Sequence, residues 1–227
     1  MLRRLGVRVP ILALWETLHY LLAWYLPWLH KEIHVGDFPF MAEGQTDALK
    51  QRITGARLYV EYGSGGSTRM AATLAEEVIS VDSNPNFLAK ASQGCANVHP
   101  LYADIGIIGM YGFPIFRHRT RRRLEKWRSY VTAPWDYLGD RAGEVNFVLI
   151  DGRFRLACAL YSLLRTGPGA DCQFMLDDYS ERPHYHALEE FVEILEQFEV
   201  GVICRRAANF DEDRCRAVLS QCWDDFR

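Results

Sequence analysis

One stretch, residues 57–82, constrains the fold of this chain more than any other part of it. It reads RLYVEYGSGGSTRMAATLAEEVISVD. A short apolar run at 58–60 leads into a glycine turn, which is followed by a helical pattern over 67–76. A second apolar run then ends at Asp82. Strand, glycine turn, helix and strand in this order form a βαβ unit, which binds nucleoside-containing cofactors at the carboxyl ends of its strands.

The charges around the glycine turn favour one cofactor class. A dinucleotide site needs Gly-x-Gly-x-x-Gly, and Thr68 stands at the third glycine position. Glu61, beside the turn, would repel a pyrophosphate and attract an ammonium group. Asp82 at the next strand tip is placed to accept hydrogen bonds from both ribose hydroxyls. These features predict S-adenosylmethionine, which has a ribose and an amino-acid end but no phosphate; the alternative is a tight turn that only allows close helix–strand packing.

The pattern Glu-x-Gly-x-Gly-Gly-Ser-Thr, which starts at Glu61, resembles the first motif of class I S-adenosylmethionine-dependent methyltransferases. The resemblance implies an α/β fold with a doubly wound, mostly parallel, Rossmann-like sheet. It also implies that Asp104, with the backbone of Ile105, holds the adenine amino group. The cofactor-binding residues expected on this basis are Glu61, Gly63, Ser64, Gly65, Gly66, Ser67, Asp82, Ser83, Asp104 and Ile105.

The remaining sequence continues the alternation of strands and helices. Continuous apolar runs predict buried parallel strands, and apolar residues at helical spacing predict helices. The predicted strands after the βαβ unit are 97–104, 144–151, 171–176 and 199–205, and the predicted helices outside it are 41–54, 157–164, 186–198 and 211–223. An antiparallel seventh strand, usual in this fold, is not evident.

Length and composition fit a cytoplasmic enzyme. A chain of 227 residues can form one α/β domain, here 41–227, with a small appendage. The net charge of −3 gives no general case for nucleic-acid binding. The six cysteines form no Cys-x-x-Cys, and several lie in apolar runs, so we expect buried thiols in a reducing compartment.

The N-terminal region, residues 1–40, reads as a helix followed by a linker at 34–40. Its apolar run over 11–30 follows three arginines, is rich in Trp and Tyr, and is interrupted by Glu16 and His19. One interpretation is an amphipathic helix on the inner leaflet of a membrane. A second is a helix that caps the cofactor cleft or docks on a partner, and a membrane span is the third.

An arginine-rich segment lies within residues 105–138 and interrupts the α/β alternation. It contains RHRTRRRLEKWRSY and is preceded by several glycines. One interpretation is a lid or substrate loop that binds an anionic acceptor or a membrane surface. The other is a solvated helix face that pairs with acidic residues elsewhere.

Three carboxylates follow neighbouring strands, and they are the candidate acceptor site. Asp151 ends the fourth predicted strand, and Asp177 and Asp178 end the fifth. Oxygen ligands at adjacent strand tips suit Mg²⁺ or another divalent ion. The arrangement resembles the metal site of catechol and macrocin-type sugar O-methyltransferases. Because Arg153 and Arg155 lie within reach of Asp151, and either guanidinium could neutralise it, a salt-bridged cluster is the alternative to a metal site.

The resemblance extends to residues 149–160 and to Ala-Asp-Ile-Gly at 103–106, which are similar to uncharacterised class I methyltransferases linked to polysaccharide decoration. It implies methyl transfer to a hydroxyl, most plausibly on a sugar or glycan, with Asp151 and Asp178 positioning or activating that hydroxyl. Without a metal, the candidate bases are Asp151, His184 and His186. A non-catalytic S-adenosylmethionine-binding subunit and a nicotinamide-dependent oxidoreductase are the alternative functions.

Overall fold

The computed structural model describes residues 34–169 and 171–226. The N-terminal helix expected over 11–30, with its membrane or partner contact, lies outside these residues. Within them, no helix has the length and apolar character needed to cross a membrane.

A seven-stranded sheet forms the centre of the molecule. Its order is β3-β2-β1-β4-β5-β7-β6. Strands β1 to β5 are parallel, and β7 runs antiparallel to both of its neighbours. The strands are β1 (Leu58–Tyr62), β2 (Glu77–Asp82), β3 (Val98–Tyr102), β4 (Phe147–Ile150), β5 (Gln173–Leu176), β6 (Val192–Gln197) and β7 (Val202–Arg206). The predicted doubly wound, mostly parallel α/β fold is confirmed.

Helices cover both faces of the sheet, because the central strands are apolar on both sides. They are α1 (Glu43–Ile53), α2 (Gly66–Leu74), α3 (Pro85–Ala91), α4 (Arg121–Leu138), α5 (Arg155–Thr166) and α6 (Glu212–Cys222). Successive residues of β1 alternate between two cores: Tyr59 packs with α1 and α2, whereas Val60 and Tyr62 pack with α4 and α5. The side-chain direction of each strand-end residue, and hence which groups reach a ligand, follows from this alternation.

The helix predicted over 186–198 is wrong. The chain forms a 3₁₀ segment at Pro183–Glu190 and then the edge strand β6, which pairs with β7. Apolar residues at helical spacing suggested one helix, but Phe191 is buried whereas Leu195 is 37% exposed. Acidic side chains along β6 protect this sheet edge from further pairing. The strand that was not evident in the sequence is β6, and the strand predicted at 199–205 is the antiparallel β7.

The arginine-rich segment forms the start of α4 and the chain before it. Arg119 pairs with Asp224, Arg121 pairs with Glu125, and the guanidinium of Arg128 lies over the ring of Trp223. The opposite face of α4 is buried against the sheet through Trp127, Tyr130 and Trp135, among others. These contacts support the interpretation as an ion-paired, solvated helix face.

The six cysteines are free thiols, and five of them are buried: Cys158, Cys172, Cys204, Cys215 and Cys222. Cys95 is partly exposed. The sequence-based expectation of buried thiols is confirmed for these five.

Candidate functional site

A cleft of about 1000 Å³ opens at the carboxyl edge of the parallel strands. It lies beside β1, where the chain leaves for β2 on one side and β4 pairs on the other. Ligands of open α/β sheets bind at such a switch point. The cleft is lined by the glycine turn, the ends of β2, β4 and β5, residues 109–112, and the segment 34–42, which we call the N-terminal wall.

The glycine turn after β1 forms the floor of the cleft. Gly63 has a φ of +96°, and a Cβ there would lie 2.9 Å from the nitrogen of Gly152. Its own N–H donates to the carbonyl of Val81 at 2.8 Å. At Gly66 a Cβ would lie 1.8 Å from the carbonyl oxygen of Phe38. The turn therefore holds β1, β2 and β4 together at their ends, and the N-terminal wall passes directly over it.

Gly63→Ala is expected to lower the free energy of unfolding by about 1–3 kcal/mol, because the left-handed backbone and the contact with Gly152 both oppose a side chain. Gly143→Ala is the matched control, since nothing lies within 4 Å of its Cβ position. Urea unfolding of both variants measures the difference. Equal effects of the two substitutions would contradict the close packing of the turn.

Asp82 is half-buried in the cleft wall at the end of β2, as predicted. Its two carboxylate oxygens accept the N–H groups of Ser64 at 3.0 Å and Asn84 at 2.7 Å. Burial raises the pKa of Asp82, and these backbone hydrogen bonds act in the opposite direction. Each oxygen keeps a second lone pair, so the carboxylate can still accept hydroxyl groups from a ligand. Ser83 lines the cleft beside it.

Glu61 does not line the cleft, in contrast to its predicted position. Its side chain is fully buried, and its carboxylate accepts hydrogen bonds from four hydroxyl groups, those of Tyr59, Ser67, Thr68 and Ser80. Burial raises the pKa of Glu61, while the four hydroxyls lower it. Glu61 therefore ties β1, β2 and α2 together beneath the glycine turn, and it does not contact an ammonium group of a ligand from there.

The predicted adenine-binding pair is also absent from the cleft lining. Asp104 pairs with Lys126 of α4 and accepts the N–H of Gly106 at 2.8 Å. Ile105 is buried, and its carbonyl accepts the indole N–H of Trp127 at 3.1 Å. Helix α4 thus engages both groups, which the local sequence around residue 104 could not indicate.

The three acidic residues at the ends of β4 and β5 do converge, as predicted. Strand β5 ends at Leu176, and Asp178 has a φ of +56°. This turn of the backbone brings Asp177 and Asp178 toward the same side, which two successive strand residues could not achieve. Asp151 lies next to them at the end of β4.

Arg155 occupies the centre of this acidic cluster. Its guanidinium nitrogens lie 2.8 Å from Asp151, 3.2 Å from Asp178 and 3.7 Å from Asp177. The side chain also donates to the carbonyls of Gly152 and Asp177, at 3.0 and 2.7 Å. Asp178 forms a second ion pair with Arg182 at 2.7 Å.

The structure therefore does not support the divalent-metal site predicted at Asp151, Asp177 and Asp178. A metal ion would need the space and the carboxylate oxygens that the guanidinium of Arg155 takes. Among residues 34–169 and 171–226, no group of three or more His, Cys, Asp or Glu side chains is arranged to hold a metal ion. The alternative, a salt-bridged cluster, is the arrangement in the structure.

Asp151 has the properties of a proton acceptor. Desolvation at the cleft floor raises its pKa to about 7, against the opposing effect of Arg155, and the negative charges of Asp177 and Asp178 add to the rise. Because Arg155 is shared among three carboxylates, it offsets only part of the desolvation. His184 and His186, the other candidate bases, do not line the cleft.

Two cleft residues were missed by the sequence analysis as ligand-binding candidates. Tyr130 reaches the cleft from α4, where its hydroxyl oxygen accepts the N–H of Arg153 at 3.2 Å. The side chain of Arg153 also lines the cleft. The position of Tyr130 depends on how α4 packs, and no local sequence signal indicates that packing. Arg153 was considered only as a neutralising partner of Asp151, a role that Arg155 fills.

Comparisons with known proteins extend these observations. No family model matches the sequence. No curated protein matches it. Among solved structures, a methyltransferase-like protein (spo2022) from Silicibacter pomeroyi DSS-3 is 28% identical, with a TM-score of 0.69 over 82% of this chain and 97% of that one.

Two further solved structures are more distant. SMU.1697c from Streptococcus mutans, in complex with SAH, is 13% identical, with a TM-score of 0.45 over 73% of this chain and 97% of that one. MycE methyltransferase from the mycinamycin biosynthetic pathway, in complex with Mg, SAH and mycinamycin VI, is 10% identical. Its TM-score is 0.44 over 72% of this chain and 45% of that one. On the strand order and the likeness to spo2022, this chain has the Rossmann-like α/β fold of S-adenosylmethionine-dependent methyltransferases.

Proposed function

We propose that this protein is an S-adenosylmethionine-dependent methyltransferase whose acceptor atom is a hydroxyl oxygen. One observation carries the proposal: the glycine turn and Asp82, which suit a ribose and an amino-acid end, share a cleft with Asp151, whose pKa is raised to about 7. The similarity to the methyltransferase-like protein from Silicibacter pomeroyi supports the same class. A sugar or glycan is the acceptor that the resemblance of residues 149–160 favours.

The cofactor-binding half of the cleft is built from backbone and one carboxylate. Asp82 would accept the ribose hydroxyls with the lone pairs that Ser64 and Asn84 leave free. Gly65, Gly66 and Ser67 line the cleft at the start of α2, where backbone N–H groups and the positive end of the helix would receive the carboxylate of the amino-acid end. Glu61 contributes by fixing the turn from below.

S-adenosylmethionine, when bound, supplies an electrophilic methyl group on a sulfonium. Asp151 would accept the proton that the acceptor hydroxyl loses when its oxygen is methylated. Arg155 and Asp178 are positioning residues, because they hold the Asp151 carboxylate through the ion pairs described above. A base with a pKa near neutrality is suited to this proton transfer.

Calorimetric titration with S-adenosylhomocysteine tests the cofactor assignment. The wild-type protein is expected to bind with micromolar affinity, and Asp82→Ala to bind about a hundredfold more weakly, because two charge-assisted hydrogen bonds to the ribose are lost. Asp140→Ala, an exposed acidic residue outside the cleft, is the control and should bind like wild type. The absence of binding at millimolar ligand would overturn the proposal, and nicotinamide cofactors would then be tested.

A further inference from the structure

Arg153 and Arg155 both line the cleft, but among the residues described Arg153 forms no ion pair with a carboxylate. Its side chain lines the cleft and the residue is only 7% exposed. Nη1 is buried and has no hydrogen-bond partner, and no ion pair joins Arg153 to a carboxylate among the residues described. By contrast, Arg155, which also lines the cleft, is ion-paired with Asp151, Asp177 and Asp178.

The contacts of Arg153 hold the guanidinium without neutralising it. Its charged carbon lies 4.2 Å from the centre of the Phe113 ring, and its backbone N–H donates to the hydroxyl oxygen of Tyr130. Burial, followed by the nearby charge of Arg155, lowers the pKa of Arg153. A guanidinium remains protonated even so. The charge of Arg153 also acts to lower the pKa of Asp82, but the two side chains form no ion pair. Because Nη1 of Arg153 is buried without a hydrogen-bond partner, its natural complement is an anion supplied by a ligand.

We propose that Arg153 binds an anionic group of the acceptor, either a carboxylate or a phosphate-like oxyanion. The planar fork of a guanidinium matches both groups through paired N–H donors. The inference rests on the proposed function, since it assigns a charge to the acceptor of that reaction. It narrows the acceptor class from hydroxyl compounds in general to hydroxyl compounds that carry an acidic group within reach of the cleft floor.

The cofactor also carries a carboxylate, so the anionic group that binds Arg153 could belong to the acceptor or to the cofactor. The start of α2 already offers backbone N–H groups to the amino-acid end of the cofactor. The charge of Arg153 acts on Asp82 of the βαβ unit. The direct contacts of Arg153, however, are with Phe113 and Tyr130, and both belong to the stretch 105–138 outside that unit. The placement of Arg153 therefore favours the acceptor as the source of the anion.

The first arm of the test is calorimetric titration of S-adenosylhomocysteine into wild type, Arg153→Met and Arg153→Lys. Affinities within about threefold of wild type are expected, because the cofactor carboxylate binds elsewhere. A loss of about tenfold or more in both variants would overturn the acceptor assignment and place the cofactor carboxylate on Arg153. If wild type itself does not bind S-adenosylhomocysteine, the proposed function is overturned. A failure of the proposed function is therefore distinguished from a failure of the Arg153 assignment, in which wild type binds and both variants lose affinity.

The second arm measures the melting temperature of the S-adenosylhomocysteine complex with D-glucuronate, benzoate or inorganic phosphate at constant ionic strength. D-glucose is the uncharged probe matched to D-glucuronate. At a tenfold excess over Kd, at least one anion is expected to raise the wild-type Tm by about 2–4 °C above the chloride reference. Arg153→Met should remove this rise, and Arg153→Lys should retain part of it, because it keeps the charge without the fork.

Arg216→Met, which removes an exposed arginine paired with Glu212 on α6, is the matched control and should respond like wild type. Arg153→Met is itself expected to melt no lower than wild type without ligand, because Met fills apolar space and removes an unpaired buried charge. Stabilisation by the anions that persists in Arg153→Met, or no anion effect on wild type at about 50 mM probe, would overturn the proposal.

Discussion

Asp151→Asn is expected to lower kcat/KM for methyl transfer by about 10²–10⁴-fold, the usual contribution of a general base. The amide occupies the same space as the carboxylate but accepts no proton at neutral pH. Since Asp151 is proposed to contact the acceptor and not the cofactor, the affinity for S-adenosylhomocysteine should stay within a few fold of wild type. Steady-state kinetics together with calorimetry therefore separates a catalytic defect from a binding defect.

The pH dependence gives a second measurement of the same role. A base must be deprotonated to act, so kcat/KM of the wild type is expected to rise with pH and level off above the raised pKa of about 7. This rise of kcat/KM with pH should be absent in Asp151→Asn. Asp171→Asn, a change at an exposed acidic residue before β5, is the control and should keep the wild-type profile. A loss of less than tenfold in Asp151→Asn would remove the base assignment.

Arg155→Met is expected to lower the free energy of unfolding by about 3–5 kcal/mol, as is usual when one member of a buried ion-paired group is removed. Asp151, Asp177 and Asp178 would then repel one another without their shared cation. Protonation of Asp151 relieves this repulsion, and its pKa is already raised to about 7. The loss of stability should therefore be greater at about pH 8 than at about pH 5. Urea unfolding at both pH values measures it.

Arg182→Met serves as the comparison, because Arg182 is partly exposed and, among the residues described, forms an ion pair with Asp178 and also contacts Tyr185. Its cost should stay within about 1 kcal/mol. The double variant Arg155→Met/Asp151→Asn should recover part of the stability, since one of the three negative charges is removed. Equal destabilisation by Arg155→Met and Arg182→Met would show that Arg155 is not the organising cation of the cluster.

The sequence analysis predicted the fold and the cofactor half of the cleft where the signals are local. Apolar runs, glycines and strand-end carboxylates are contiguous in residues 57–82, and the structure places Asp82 and the glycine turn together in one cleft. The meeting of Asp151 with Asp177 and Asp178 was also predicted, because the ends of neighbouring parallel strands share one edge of the sheet.

Features that depend on side-chain direction could not be predicted in this way. Glu61 and Tyr62 are neighbours in β1 and point to opposite faces, so Glu61 lies beneath the turn. Helix α5 begins at Arg155 after Phe154 adopts a φ of +55°, and this local geometry directs Arg155 into the acidic cluster. For β6, the sequence carries an apolar spacing typical of a helix, and pairing with β7 overrides it.

The N-terminal wall has a consequence for where this domain begins. By sequence, the boundary falls at residue 41, ahead of α1, and a chain that starts there contains every strand of the sheet. Residues 34–40 nevertheless form one side of the cleft, and the Phe38 carbonyl covers Gly66. A truncation at residue 41 would therefore keep all seven strands but remove one side of the cleft, so truncations intended for ligand binding should retain residues 34–40.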